Sequence, residues 1–135
     1  MNLHAKLLQR AAENRPIRIG LIGAGKFGSM YLAQIPRTPG VHLVGIADLS
    51  PVGARANLAR VGWEAERLTA NNLDEAVKNG TTHVGDDWQS LVRHPAVDVI
   101  VECTGSPLHA VDHILEAFAN RKHVVNVTVE ADAFC

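Results

Sequence analysis

Six consecutive residues, Gly23-Ala24-Gly25-Lys26-Phe27-Gly28, spell G-x-G-x-x-G. Glycines at this spacing suit a chain that turns sharply, lets its backbone approach a large anion, and then opens a helix packed closely on the preceding strand. Gly23 takes the turn, Gly25 the close approach and Gly28 the helix–strand contact. A helix starting here aims unpaired amides, and a partial positive charge of roughly half a unit, at whatever lies ahead, which favours phosphate. The pattern is short, so its context decides. The aliphatic run Ile17 to Gly23 (IRIGLIG) leads into it, and Met30, Tyr31 and Ile35 follow at helical spacing until Pro36 and Pro39 stop the helix.

Asp48 supplies the second half of the pattern. It closes another aliphatic run, Val41 to Ala47 (VHLVGIA), and lies 20 positions after Gly28. An acid there accepts hydrogen bonds from the adenosine ribose of a dinucleotide whose pyrophosphate rests on the glycine loop. The same carboxylate opposes a 2′-phosphate by about 1–4 kcal/mol per charge pair at 4 Å, which favours NAD. Arg55, one turn into the next helix, and the Ser50 hydroxyl are placed to bind such a phosphate, so NAD and NADP both stay open.

A third group closes the run VDVIVECTG. In a doubly wound sheet, ligands lie beyond the carboxyl ends of the strands, at the point where strand order reverses. Thr104, with a hydroxyl or amide, and Gly105, with no side-chain bulk, are expected to border the ribose nearest the nicotinamide. Cys103 reads as a small buried thiol, because nothing marks an activating base beside it. His109 and His113 are four apart without an H-E-x-x-H pattern, and read as solvent-facing. No metal site is expected.

The elements that must carry these residues alternate. Residues 2–13 place Leu3, Leu7, Leu8, Ala11 and Ala12 on one face of a short helix that docks on the domain or a partner, ended by Asn14 and Pro16. Ser50-Pro51 starts a helix with Ala54, Leu58 and Val61 inward. A short helix over Asn72 to Val77, a third strand over Thr81 to Val84, and a brief helix capped by Asp86 or Asp87 fill the middle. Ser106-Pro107 caps a helix with Leu108, Val111, Ile114, Leu115 and Phe118 on its packed face, and Val124 to Val127 is a further strand. Strands alternating with helices of this length imply parallel βαβ units. The expected fold is a doubly wound α/β parallel sheet in order 3-2-1-4-5, ending after its fifth strand.

Bulk properties agree. The 135 residues are 47% hydrophobic and only 4% aromatic, so the core is aliphatic, as buried parallel strands require. A formal net charge of −1 without runs of like charge gives no footing for nucleic acid or an anionic membrane. Two distant cysteines suggest neither a disulfide framework nor a zinc quartet. The N-terminal segment is no secretory signal, and the expected location is cytoplasmic.

IRIGLIGAGKFG, VGIADLS, VDVIVECTG and KHVVNV together resemble the N-terminal NAD(P)-binding Rossmann domain of homoserine-dehydrogenase-like oxidoreductases. The closest likeness is to a deoxyxylulose-phosphate-reductoisomerase-like branch, suggested by the N-terminal lead-in and the VNVTVEADAFC ending. The resemblance implies that Gly23 to Gly28 hold the pyrophosphate, Asp48 and Leu49 the adenosine end, and Thr104-Gly105 the nicotinamide side. It implies NADPH for the reductoisomerase-like branch. Homoserine dehydrogenases follow K-H-V-V with Asn-Lys, whereas Thr128 and Val129 stand here, with Glu130 and Asp132 beyond, so homoserine is a doubtful substrate.

The expected organisation is a helical extension over 1–16 and a dinucleotide-binding domain over 17–135, the substrate domain being absent. The expected function is binding NAD(P)(H) for hydride transfer on a small carbonyl or hydroxyl metabolite, without turnover by the chain alone. A non-catalytic module that senses NAD(H) is the alternative. A homo-oligomer is left open, as is whether Cys135 is the natural end.

Overall fold

The computed structural model describes residues 2–131. Helix α1 (Leu3–Ala12) precedes strand β1 (Ile17–Ile22), and α2 (Lys26–Gln34) runs into a 3₁₀ turn over Ile35–Arg37. Then follow β2 (Val41–Ala47), α3 (Pro51–Arg60), a second 3₁₀ turn over Ala65–Leu68, α4 (Leu73–Asn79), β3 (His83–Gly85) and α5 (Trp88–Arg93). β4 (Val99–Glu102), α6 (Pro107–Ala119) and β5 (His123–Asn126) complete the order.

The five strands form one sheet in the order β3-β2-β1-β4-β5, with every pair parallel. This is the doubly wound arrangement expected from the sequence, and β1 lies at its centre because the chain crosses from one half to the other between β3 and β4. Both faces are covered, so the strands are aliphatic on both sides. One core layer joins Ile19, Leu21 and Leu43 to Leu32 of α2 and Ala54 and Leu58 of α3. The other joins Val44 and Ile100 to Ala76 of α4, Leu91 and Val92 of α5 and Ala117 of α6. A register shift after Ile19 sets Gly20 opposite Gly45, and a Cβ on either would lie within 3.0 Å of Leu91. These two small residues let α5 close on the sheet.

The helices start where local chemistry satisfies their first amides. Ser50 accepts from the Gly53 amide, Asn72 from Glu75 and Asp87 from Ser90. Gly80, in the left-handed region at φ 70°, ends α4. Helix α2 begins at Lys26, inside the glycine motif, and the third strand lies two residues later than the expected Thr81.

Three expectations need correction. Ser106 stands at the N-cap of α6 without a capping hydrogen bond, because its hydroxyl pairs with Nδ1 of His109 at 2.9 Å. The buried face of α6 is Ala110, His113 and Ala117, while Leu108, Leu115 and Phe118 are exposed. Apolar residues lie on every side of this helix, so periodicity could not phase it, and the small alanines permit the close approach to the sheet. Met30 likewise points outward, and Leu32 takes the inward place in α2. Helix α1 buries no residue completely, and it touches the body where the Leu7 carbonyl meets Gly40, leaving no room for a Cβ there.

Candidate dinucleotide-binding site

Register fixes which residues meet at the carboxyl edge of the sheet. Gly85, Ala47, Ile22, Glu102 and Asn126 lie side by side across the five strands. The ladder runs one step further: Gly23 donates to the Ala47 carbonyl, Asp48 to Gly85, Cys103 to Ile22 and Val127 to Glu102. The glycine loop, Asp48 and the Cys103-Thr104 segment, 80 residues apart in the chain, are thereby adjacent.

The surroundings of the three glycines differ. Gly23 has φ +90°, and a Cβ there would stand 2.9 Å from the Cys103 carbonyl group and the Thr104 Cα. A Cβ on Gly28 would be 2.9 Å from the Gly23 carbonyl oxygen, so the loop closes on its own helix. At Gly25 a Cβ would meet nothing within 4 Å. The position a Gly25 side chain would take is therefore free, and Gly25 at the N-cap brings no side chain to satisfy the first amides of α2. A pyrophosphate fits that cradle by its acceptor oxygens and its charge.

The loop is held from behind by its neighbours. Asp48 accepts from the Ala24 amide and the Ser50 amide, each at 2.8 Å. Asn57 of α3 donates to the Ala24 carbonyl at 2.8 Å, and Arg60 donates to the Ser29 hydroxyl, which itself donates to the Gly25 carbonyl. Asn57, Ser29 and Arg60 were not found by sequence reasoning; Asn57 and Arg60 are polar residues three apart on α3, and Ser29 is buried on α2. Two amides use about half of the roughly four acceptor positions of a carboxylate, so Asp48 retains capacity for ribose hydroxyls. Leu49 is 95% exposed and Phe27 is exposed, both beside the loop. The exposed Arg55 donates from Nη1 to the Leu68 carbonyl at 3.4 Å.

The segment after β4 rests on a residue that sequence reasoning passed over. Glu102 is fully buried, and its Oε1 accepts from the Thr104 amide at 2.7 Å, the Thr104 hydroxyl at 2.6 Å and the Thr128 hydroxyl at 2.9 Å. Its Oε2 is paired with Nδ1 of His113. His113 is therefore not the solvent-facing residue expected; it is buried, with its ring edge-on to Trp88 at a centroid distance of 4.4 Å. His109 does face solvent. Thr104 donates both its amide and its hydroxyl inward to Glu102, and its hydroxyl oxygen accepts from the Ser106 amide. A buried carboxylate must find donors, and this was the available signal: an acid inside an aliphatic strand.

Burial pushes the Glu102 carboxyl up, and the hydrogen bonds from His113, Thr104 and Thr128 outweigh it, so the net value is lowered. A group titrating lower in the folded chain contributes stability that is present above its unfolded value, about 4.3, and lost as pH falls through the folded value. The Tm difference between the wild type and Glu102→Gln is expected to shrink as pH drops below about 4. A pH-independent difference in thermal melts would contradict this. Cys103 fits its reading as an inert thiol, since burial and the neighbouring Glu102 charge raise it to about 12. Among the described residues no cluster of His, Cys, Asp or Glu is arranged to hold a metal ion, and no helix is long and apolar enough to cross a membrane. Glu130 is exposed, and Asp132 and Cys135 lie outside the described residues.

Comparison with known proteins agrees with this geometry. Residues 17–126 match the model of the GFO/IDH/MocA oxidoreductase family, NAD-binding Rossmann fold. The chain is 31% identical over 113 residues to a homoserine dehydrogenase of Methylobacillus glycogenes, covering 82% of this chain and 24% of that protein. The structure of myo-inositol dehydrogenase from Lactobacillus casei, in complex with NAD(H) and myo-inositol, superposes with a TM-score of 0.61 at 18% identity, over 82% of this chain and 28% of the other. Biliverdin reductase from Synechocystis, in complex with biliverdin and NADP+, gives a TM-score of 0.54 at 25% identity, over 82% and 29%. The chain thus spans about a quarter of the length of these relatives. It belongs to the GFO/IDH/MocA oxidoreductases, as their NAD-binding Rossmann domain.

Proposed function

We propose that residues 17–135 hold NAD(H) for an oxidoreductase acting on a small carbonyl or hydroxyl metabolite, with residues 1–16 as a helical extension. The observation that carries this reading is the open cradle at Gly25 beside an Asp48 whose carboxylate is already fixed by two loop amides. In this reading the amides at the start of α2 and the backbone of Gly23 to Gly28, Lys26 and Phe27 included, receive the pyrophosphate. Asp48 accepts the adenosine ribose hydroxyls, and Leu49 lies against the adenine. Gly105, where a Cβ would meet nothing within 4 Å, leaves room for the second ribose. When bound, the nicotinamide supplies or accepts the hydride, while this chain orients it and excludes water.

NAD is favoured over NADP here, because Asp48 would face a 2′-phosphate and Arg55 is turned to the Leu68 carbonyl. The residues that bind and protonate the substrate are assigned to the part of the relatives' length that this chain does not span. In that arrangement the chain alone binds cofactor without turnover, and its setting is the cytoplasm. An NAD(H)-sensing module would need the same site, and turnover by a longer form carrying this domain separates the two.

The direct test is Gly25→Ala. Its backbone (φ −79°, ψ −149°) lies just beyond the extended region and the added methyl has free space, so the stability cost should be about 1 kcal/mol, small enough to leave the variant folded. The methyl occupies the approach to the pyrophosphate, and NADH affinity should fall at least tenfold. Unchanged affinity in a titration of the folded variant would place the pyrophosphate elsewhere.

A further inference from the structure

The Glu102 network steers the loop after β4 as a unit. The carboxylate takes the Thr104 amide directly. The Thr128 hydroxyl, which donates to Glu102, accepts from the Gly105 amide at 3.1 Å, and the Thr104 hydroxyl, also bound to Glu102, accepts from the Ser106 amide at 3.2 Å. Three consecutive loop amides are thus aimed by one buried acid, directly or through one hydroxyl. His113 fixes the other carboxylate oxygen, and Trp88 fixes the plane of His113. The front of the same loop abuts Gly23, whose missing side chain is what lets Thr104 Cα come so near.

Stability alone does not account for a charged group here. Buried ionic pairs are often no more stabilising than apolar side chains of the same volume. What the network produces is a fixed direction for the three amides beside the cofactor loop. We infer that Glu102, held by His113, is a positioning residue for the Thr104–Ser106 loop and, through it, for the nicotinamide half of the bound dinucleotide. This rests on the dinucleotide reading above.

The test compares NADH with ADP-ribose, which keeps the adenosine and pyrophosphate and lacks the nicotinamide, by titration of the purified chain. The wild type should bind NADH about tenfold more tightly than ADP-ribose. Thr128→Val removes one hydroxyl with little change of shape, and Glu102→Leu removes the carboxylate. In each folded variant ADP-ribose affinity should stay within about twofold and the NADH advantage should shrink to about twofold. Glu102→Gln should keep the advantage: its amide oxygen can serve the Thr104 and Thr128 donors, while its NH₂ donates to His113 in the other ring tautomer. Should Glu102→Leu fail to fold, Thr128→Val carries the test alone. Equal weakening of both ligands would make the network merely structural and overturn the inference, as would an undiminished NADH advantage in Thr128→Val. Equal affinities in the wild type would overturn it while leaving the dinucleotide reading intact; no binding of either ligand would remove that reading as well.

Discussion

Gly23→Ala should unfold much of the molecule's stability margin and abolish cofactor binding together. At φ +90° a side chain is strained in any surroundings, at a cost of about 1–2 kcal/mol. The surroundings add to it. The new Cβ would lie 2.9 Å from backbone atoms of Cys103 and Thr104, which cannot rotate aside as a side chain can. Relief requires β1 and β4 to part at their carboxyl ends, where Cys103 donates to the Ile22 carbonyl. Overpacking of this kind typically costs about 1–3 kcal/mol, so a total of about 2–5 kcal/mol is expected by chemical denaturation, against typical domain stabilities of about 5–15 kcal/mol. A loss under about 1 kcal/mol would mean that the loop and the β4 end are not in contact. The contrast with Gly25→Ala is the useful one: two glycines of one motif, one expected to be required by the fold and the other by the proposed ligand.

The second large effect belongs to Asp48→Ala. Hydrogen bonds to a charged acceptor contribute about 1.5–3 kcal/mol each, so loss of even one ribose contact weakens NADH about 10- to 150-fold. The variant also frees the Ala24 and Ser50 amides that the carboxylate holds, which loosens the loop and moves the result toward the larger figure. NADPH should respond in the opposite sense relative to NADH, because the carboxylate that opposes a 2′-phosphate is gone. The ratio of the two affinities, measured by titration before and after the change, is expected to fall at least tenfold. Tighter binding of NADPH than NADH by the wild type, lost on Arg55→Ala, would instead assign Arg55 to the phosphate and favour the reductoisomerase-like branch.

The positions of these two residues were legible from the sequence because they are set locally. A glycine motif at a strand end, and an acid at the next strand end, follow from spacing alone, and aliphatic runs separated by helices yield the strand order. Glu102 and His113 were not legible in the same way. Their pairing joins a strand end to the middle of a helix, and each has a commonplace reading when taken singly: a turn acid and a surface histidine. The apolar residues around α6 pointed to the wrong face, since Leu108, Leu115 and Phe118 outweigh Ala110 and Ala117 in hydrophobicity although the alanines make the contact. Where a helix approaches a sheet closely, small residues mark the interface, and hydrophobicity ranks them last.

The measurement that bears most directly on the central claim is a fluorescence titration of the purified chain with NADH, following Trp63 and Trp88 and energy transfer to the reduced nicotinamide. A saturable one-to-one signal, competed by ADP-ribose and weakened at least tenfold in Gly25→Ala, is the expected result. A folded chain that gives no saturable signal with NADH or NADPH would contradict it.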